Sequence, residues 1–198
     1  MRPYPAVAVA LLGLAVLTTG CLSPRNDPSQ FYVLAASADT ARAAPADVIL
    51  GLGPITLPKY LQRPQMVTRT GEHQMTLSEV HRWAEDLEAG IARVMREDLQ
   101  RATGASQVLS YPWLASRTVH YRIEVDILRF EGNAAGAVQL WAAWRIRDMA
   151  SHEVVVAEES RITQPAGGAT RSEIVSAQSN AIVALSREVA AALRNIES

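Results

Sequence analysis

The order of apolar and polar positions divides the chain into a short uniform block and a long periodic remainder. Residues 6–17 are Ala, Val, Leu and one Gly, with no polar interruption. From Phe31 onward the apolar residues either alternate or recur at three- and four-residue steps, and each change of period predicts a new element. Phe31–Ala35 predicts a first strand, residues 36–46 a polar loop, and Val48–Gly53 a largely apolar second strand. Pro54 and Pro58 bracket a turn, with one helical turn expected over Pro58–Leu61. Gln65–Arg69 reads as a strand, followed by a hairpin turn at Gly71-Glu72 into His73–Met75. Thr76-Leu-Ser-Glu79 then has the spacing of a capping box. Val80, Trp83, Leu87, Ile91, Val94 and Leu99 continue at near-helical steps, which predicts a helix from Thr76 to a C-cap at Gly104.

Gln107–Ser110 predicts a short strand, and Tyr111-Pro-Trp113 lies in the loop after it. In Val119–Phe130, Tyr121, Ile123, Val125 and Ile127 face one way and Arg122, Glu124 and Asp126 the other; Leu128 breaks the alternation, which predicts either a bulge or a switch of burial. Residues 131–136 read as a hairpin loop, and Ala137–Arg147 and Glu153–Ile162 complete a meander. A second capping box, Thr170-Arg-Ser-Glu173, opens a final helix whose stripe is Ile174, Ala181, Leu185, Val189, Leu193 and Ile196. Trp141 and Trp144 sit at odd spacing in one strand, so one should be core and the other should face out. The expected fold is α+β: an antiparallel or mixed sheet packed with two long amphipathic helices, in a single domain over residues 31–198.

The uniform block has a different purpose. Twelve apolar residues make the core of a secretion signal, whereas a helix that crosses a bilayer needs about 20. Thr18, Thr19 and Gly20 follow, and then Cys21, the one cysteine of the chain. A Gly directly before a Cys resembles the lipobox of bacterial lipoproteins, with Thr18 standing where that motif usually has Leu. The resemblance implies that residues 1–20 are removed and that Cys21 carries the acyl chains. The next residue is Leu22 and not Asp, which resembles lipoproteins of the outer membrane facing the periplasm. Pro24 and Pro28 predict an extended tether over residues 21–30, at about 3.1 Å per residue.

Composition narrows the function. The chain has 198 residues, enough for one ordinary core, and a formal net charge of −1. That balance gives no electrostatic reason for a nucleic-acid partner, so membrane contact is expected through the lipid anchor. A lone cysteine rules out an internal disulfide and a thiolate cluster. No Gly-x-Ser-x-Gly elbow is present, and Gly51-Leu-Gly53 is followed by Pro54, which removes a donor from any phosphate cradle. His73, His81, His120 and His152 fall in separate elements, so no metal or cofactor is expected. Glu124 and Asp126 share a strand face with Arg122, and a solvated ion pair is the expected reading rather than acid/base work. Trp83 is expected as core, and Tyr111 and Trp113 either cap the core or form a contact surface.

Several stretches together resemble the PqiC-type family of ABC-type transport auxiliary lipoproteins. They are Phe31–Leu34, Gly51–Gln65, Arg82–Glu85, Tyr111–Trp113, Tyr121–Phe130 and Ala177–Ser179. The resemblance implies a non-enzymatic outer-membrane lipoprotein that docks an MCE-domain protein spanning the periplasm for lipid transport, as a homo-oligomer. It also singles out Tyr60, Arg63, Pro64, Trp83 and Glu85 as signature positions, either structural or at an interface. An Arg63–Glu85 ion pair that pins the loop to the helix is the structural version. The rival reading is a lipoprotein that itself binds a lipid or other apolar ligand in a cavity between helices and sheet; the alanines of the final helix argue for tight packing there instead. Cys21→Ser should release the protein from the membrane into the soluble periplasmic fraction. Retention with the envelope as firmly as the parent, measured by fractionation, would overturn the lipid anchor.

Overall fold

Ile123, Val125 and Ile127 alternate with Arg122, Glu124 and Asp126, and the strand they define is the axis of the sheet. The computed structural model describes residues 27–37, 43–44, 46–133, 135–168 and 170–197. The secretion signal, Cys21 and part of the predicted 36–46 loop lie outside the described residues. The elements are β1 (Gln30–Tyr32), β2 (Ala46–Thr56), β3 (Gln65–Arg69), β4 (Met75–Trp83), α1 (Leu87–Thr103), β5 (Ala105–Ser110), β6 (Tyr121–Asn133), β7 (Ala137–Asp148), β8 (Val154–Pro165) and α2 (Arg171–Glu197). They form one α+β domain with a mixed, eight-stranded sheet.

One edge of β6 pairs antiparallel with β7 along its length. Its other edge pairs parallel with β2, from Leu50↔Tyr121 to Thr56↔Asp126, and then with β3 at Thr68↔Gly132 and Arg69↔Asn133. Around this axis β8 is added antiparallel to β7, β5 parallel to β2, β4 antiparallel to β3, and β1 parallel to β4. Both helices cover one face of the sheet. Helix α2 lies on β6, β7 and β8, while α1 lies on β2 and β5 and packs against α2. The core between them includes Ile91, Leu99, Ile123, Leu140, Ile146, Ile182 and Leu185, all buried completely.

Of the two alternatives at Leu128 the structure shows the bulge: the register shifts between Ile127, opposite Ala142, and Arg129, opposite Trp141. The extra residue turns Leu128 to solvent and returns Phe130 to the buried face opposite Leu140. Trp144 is buried and Trp141 faces out, as their odd spacing requires.

The first helix differs from its expectation. Residues 76–83 belong to β4, and α1 begins only at Leu87, after Asp86. The Thr76–Glu79 spacing is shared by chance with a capping box; here the hydroxyl of Ser78 accepts the His81 N–H at 3.0 Å. Thr, Val, His and Trp in this stretch suit a strand, and β3 offers it an edge that an isolated helical turn cannot match. Trp83 is therefore buried core, but from the end of a strand and not from a helix stripe. The predicted stop holds: Gly104 has φ +71° and donates to Gln100 O at 3.1 Å. A Cβ at Gly104 would also lie 1.9 Å from the carbonyl oxygen of Ala44.

The second capping box is formed. Glu173 accepts the Thr170 N–H at 2.9 Å, and the Thr170 hydroxyl accepts the Glu173 N–H at 3.3 Å. Helix α2 is buried around most of its girth, wider than the stripe its sequence predicts. It packs against three strands and against α1, and a strap, residues 33–37, adds hydrogen bonds to both helices. The expected first strand pairs only through Tyr32; beyond it, Leu34 is buried and its carbonyl accepts from Arg93 at 2.9 Å. The Ala35 N–H donates to the Ser179 hydroxyl at 3.1 Å, and the Ser37 N–H to Asp98 at 3.0 Å. Residues 131–133, expected in a loop, extend β6 instead. Among the described residues no helix is long and apolar enough to cross a membrane.

Candidate functional site

Three side-chain assemblies gather the residues singled out by the sequence. The first sits on the open face of the sheet, where β2 carries Gly51 and Gly53. The Trp113 ring lies on Gly51, so that a Cβ there would come within 2.6 Å of it, and Tyr111 closes over Gly53 in the same way. The two rings meet edge to face at 5.7 Å. Arg122 lies over both, 5.5 Å from the Tyr111 centroid and 5.9 Å from that of Trp113, and donates to Gly53 O at 3.1 Å. The loop is thus seated from below, while Tyr111 is 53% and Leu114 73% exposed. Beside it Glu124 binds Arg122 at 3.0 Å and Arg145 at 2.5 Å, the ion pair expected of this strand face.

The second assembly surrounds Glu131, whose side chain is fully buried. Arg69 from β3 and Arg129 from β6 donate to one carboxylate oxygen at 2.7 and 2.8 Å. The Tyr60 hydroxyl, from the loop between β2 and β3, donates to the other at 2.9 Å. This cluster ties that loop, β3 and β6 together at the point where β6 changes partners. Burial, and then the Glu131 charge, push the Tyr60 phenol up to about 12. The sequence reading missed Glu131 by placing it in a loop. The charged alternation of Arg129 and Glu131 across Phe130 was the available signal.

The third is a groove of about 730 Å³ between the start of α1, the end of β2 and the loop that follows it. Arg63 and Tyr111 line it. Trp83 and Pro64 are not among its lining residues; they join β4 to the loop before β3, the Trp83 N–H donating to Pro64 O at 2.7 Å. The expected Arg63–Glu85 pair is absent: Glu85 binds Arg93 at 2.6 Å, because the start of α1 carries Arg93 back over it, and Arg63 stays exposed. Of the seven signature and contact residues, Arg63 and Tyr111 meet in this groove. Tyr60, Pro64, Trp83, Glu85 and Trp113 make contacts that hold the fold. Among the described residues no group of three His, Cys, Asp or Glu side chains is placed to hold a metal ion.

Comparison with known proteins gives this fold its class. The chain belongs to the family of ABC-type transport auxiliary lipoprotein components, whose model matches residues 32–190. It is thus a lipoprotein component of a transport system. One solved structure, a crystal structure of an uncharacterized protein, superposes with a TM-score of 0.70 at 17% identity, covering 83% of this chain and 98% of that one. A Xanthomonas campestris protein of the DUF330 family gives a TM-score of 0.67 at 14% identity, covering 82% of this chain and 93% of that one. At such identities the likeness is one of fold. Among curated proteins none matches the chain.

Two outcomes test the Glu131 cluster. Glu131→Ala leaves two arginines facing a buried gap and should cost about 3 kcal/mol, read from the denaturation midpoint; a loss below about 0.5 kcal/mol would remove its structural role. Tyr60 has a raised folded-state value, so its contribution is fully present below pH 10 and is lost as pH rises through 12. The stability gap between the parent and Tyr60→Phe should therefore narrow over that window. A gap that stays constant would contradict the assignment.

Proposed function

We propose that the protein is a non-enzymatic auxiliary subunit of an intermembrane lipid transport system. In this reading the acyl chains of Cys21 anchor it to the periplasmic face of the outer membrane. There a homo-oligomer of the chain receives an MCE-domain protein. The observation that carries the reading is the loop after β5. Tyr111 and Leu114 project into solvent from a base fixed by Trp113 on Gly51 and by Arg122. Exposed apolar side chains on an immobile base cost little entropy to dock, which is the character of an interface anchor. Family membership supports the transport role, and the resemblance of the signature stretches supports the MCE-type partner. Arg63, which lines the same groove as Tyr111, belongs to the same contact surface, whereas Tyr60, Pro64, Trp83 and Glu85 support it structurally. Self-assembly is supported by β8: its outer edge pairs with no strand among the described residues, and Val154 and Val155 are exposed at its start.

Affinity capture from solubilised membranes tests the proposal. The parent should recover an MCE-domain protein, and the double variant Tyr111→Ala/Leu114→Ala should recover at least tenfold less at an unchanged melting temperature. No such protein recovered by the parent, or equal recovery by the variant, would overturn the docking surface. Native mass spectrometry of the same parent preparation should show more than one copy of the chain, and a monomer at micromolar concentration would remove the oligomer.

A further inference from the structure

One flank of α1 faces the groove that Arg63 and Tyr111 border from the other side. Glu88, Ala92 and Arg96 stand four residues apart and share a helix face, with Ala89 beside them. That face is charged at its two ends and carries only methyl groups between, over about 12 Å of helix. These alanines form one wall of the groove of about 730 Å³, whose floor is Leu52, Ile55, Leu57 and Leu87, all buried. Three guanidiniums (Arg63, Arg93 and Arg96) and two carboxylates (Asp86 and Glu88) also line it, with Gln62, Ser110 and Tyr111 beside them. Arg93 is held by Glu85 and by the Leu34 carbonyl. Arg63 and Arg96 are exposed and make no ion pair among the described residues, and the same holds for Asp86 and Glu88.

An apolar trough rimmed by free charges of both signs is complementary to an amphiphile whose headgroup carries both signs. We propose that this groove binds a zwitterionic phospholipid. One acyl chain lies on the leucine floor against Ala89 and Ala92, the free guanidiniums take the phosphate, and the carboxylates near the start of α1 take the ammonium. The site needs no cavity between the helices and the sheet, which are packed against each other. It also differs from the lipid anchor, since it would hold a free lipid at a non-covalent site.

The test uses the Cys21→Ser protein, which has no acyl chain of its own to compete, and lysophosphatidylethanolamine below its micelle concentration. Native mass spectrometry counts the bound lipid. One lipid per chain should bind saturably, and each methylene added within the trough should tighten binding by up to about fourfold. Ala89→Trp fills the trough from an exposed helix position and should weaken binding at least tenfold, with Ala89→Ser as the folded control. Arg96→Glu should weaken binding without filling any space. Glycerophosphoethanolamine, which has the headgroup and no chain, should not bind detectably. Absence of saturable binding, equal binding by both variants and the parent, or equal binding of the chainless headgroup would each overturn the proposal; the last would make this a phosphate site. No partner protein enters the measurement, and neither Tyr111 nor Leu114 is varied in it, so failed lipid binding and failed partner capture are read separately even though Arg63 and Tyr111 border both surfaces.

Discussion

Strand β6 must keep one face dry for thirteen residues while the strand beside it changes from β2 to β3. The change opens a gap in the pairing between Asp126 and Gly132, and the bulge at Leu128 falls inside it. Without the extra residue, strict alternation would turn Phe130 outward and Arg129 into the core, at a cost no nearby group could offset. The bulge avoids this but swings Glu131 under the returning loop, where it is buried. A buried carboxylate needs partners, and Arg69, Arg129 and Tyr60 supply them. The loop that carries Arg63 into the groove is thus anchored by the same carboxylate.

Much of this architecture was legible in the sequence because it rests on local rules. The alternation of Tyr121–Ile127, the break at Leu128, the Thr170–Glu173 cap and the glycine stop at position 104 depend on residues near one another in the chain. What failed depends on distant partners. Residues 76–83 have helical spacing on paper, yet they pair with β3 and β1, and no local pattern reveals that competing edge. The ion pair of Glu85 went to Arg93 and not to Arg63 for the same reason, since the sequence does not fix how α1 approaches the loop. The Tyr111–Trp113 stretch was recognisable as aromatic and in a loop, but its seat on Gly51 and Gly53 is a contact across about sixty residues of chain.

The surfaces are segregated by chemistry. The open face of the sheet is a lattice of paired charges, in which Trp141 lies between Arg129 and Arg161 at 5.1 Å from each. Away from the Tyr111–Trp113 loop, this surface is satisfied by its own neighbours. Exposed apolar side chains lie in the projecting loop at Tyr111 and Leu114, at the start of β8 at Val154 and Val155, and at Phe31 and Val33.

The strap over the helices gives the domain a direction of mechanical strength. Tension arriving from the N-terminal side of Asp27 meets β1 first, held by three residues of β4, and then the backbone of Leu34, Ala35 and Ser37. Those clamps come from Arg93 and Asp98 on α1 and from Ser179 on α2, so a pull is divided between both helices before it reaches the sheet. A body moored at one point by a lead passing over its roof hangs with a fixed side toward the mooring, and what it presents on the far side is set by how that lead is lashed down.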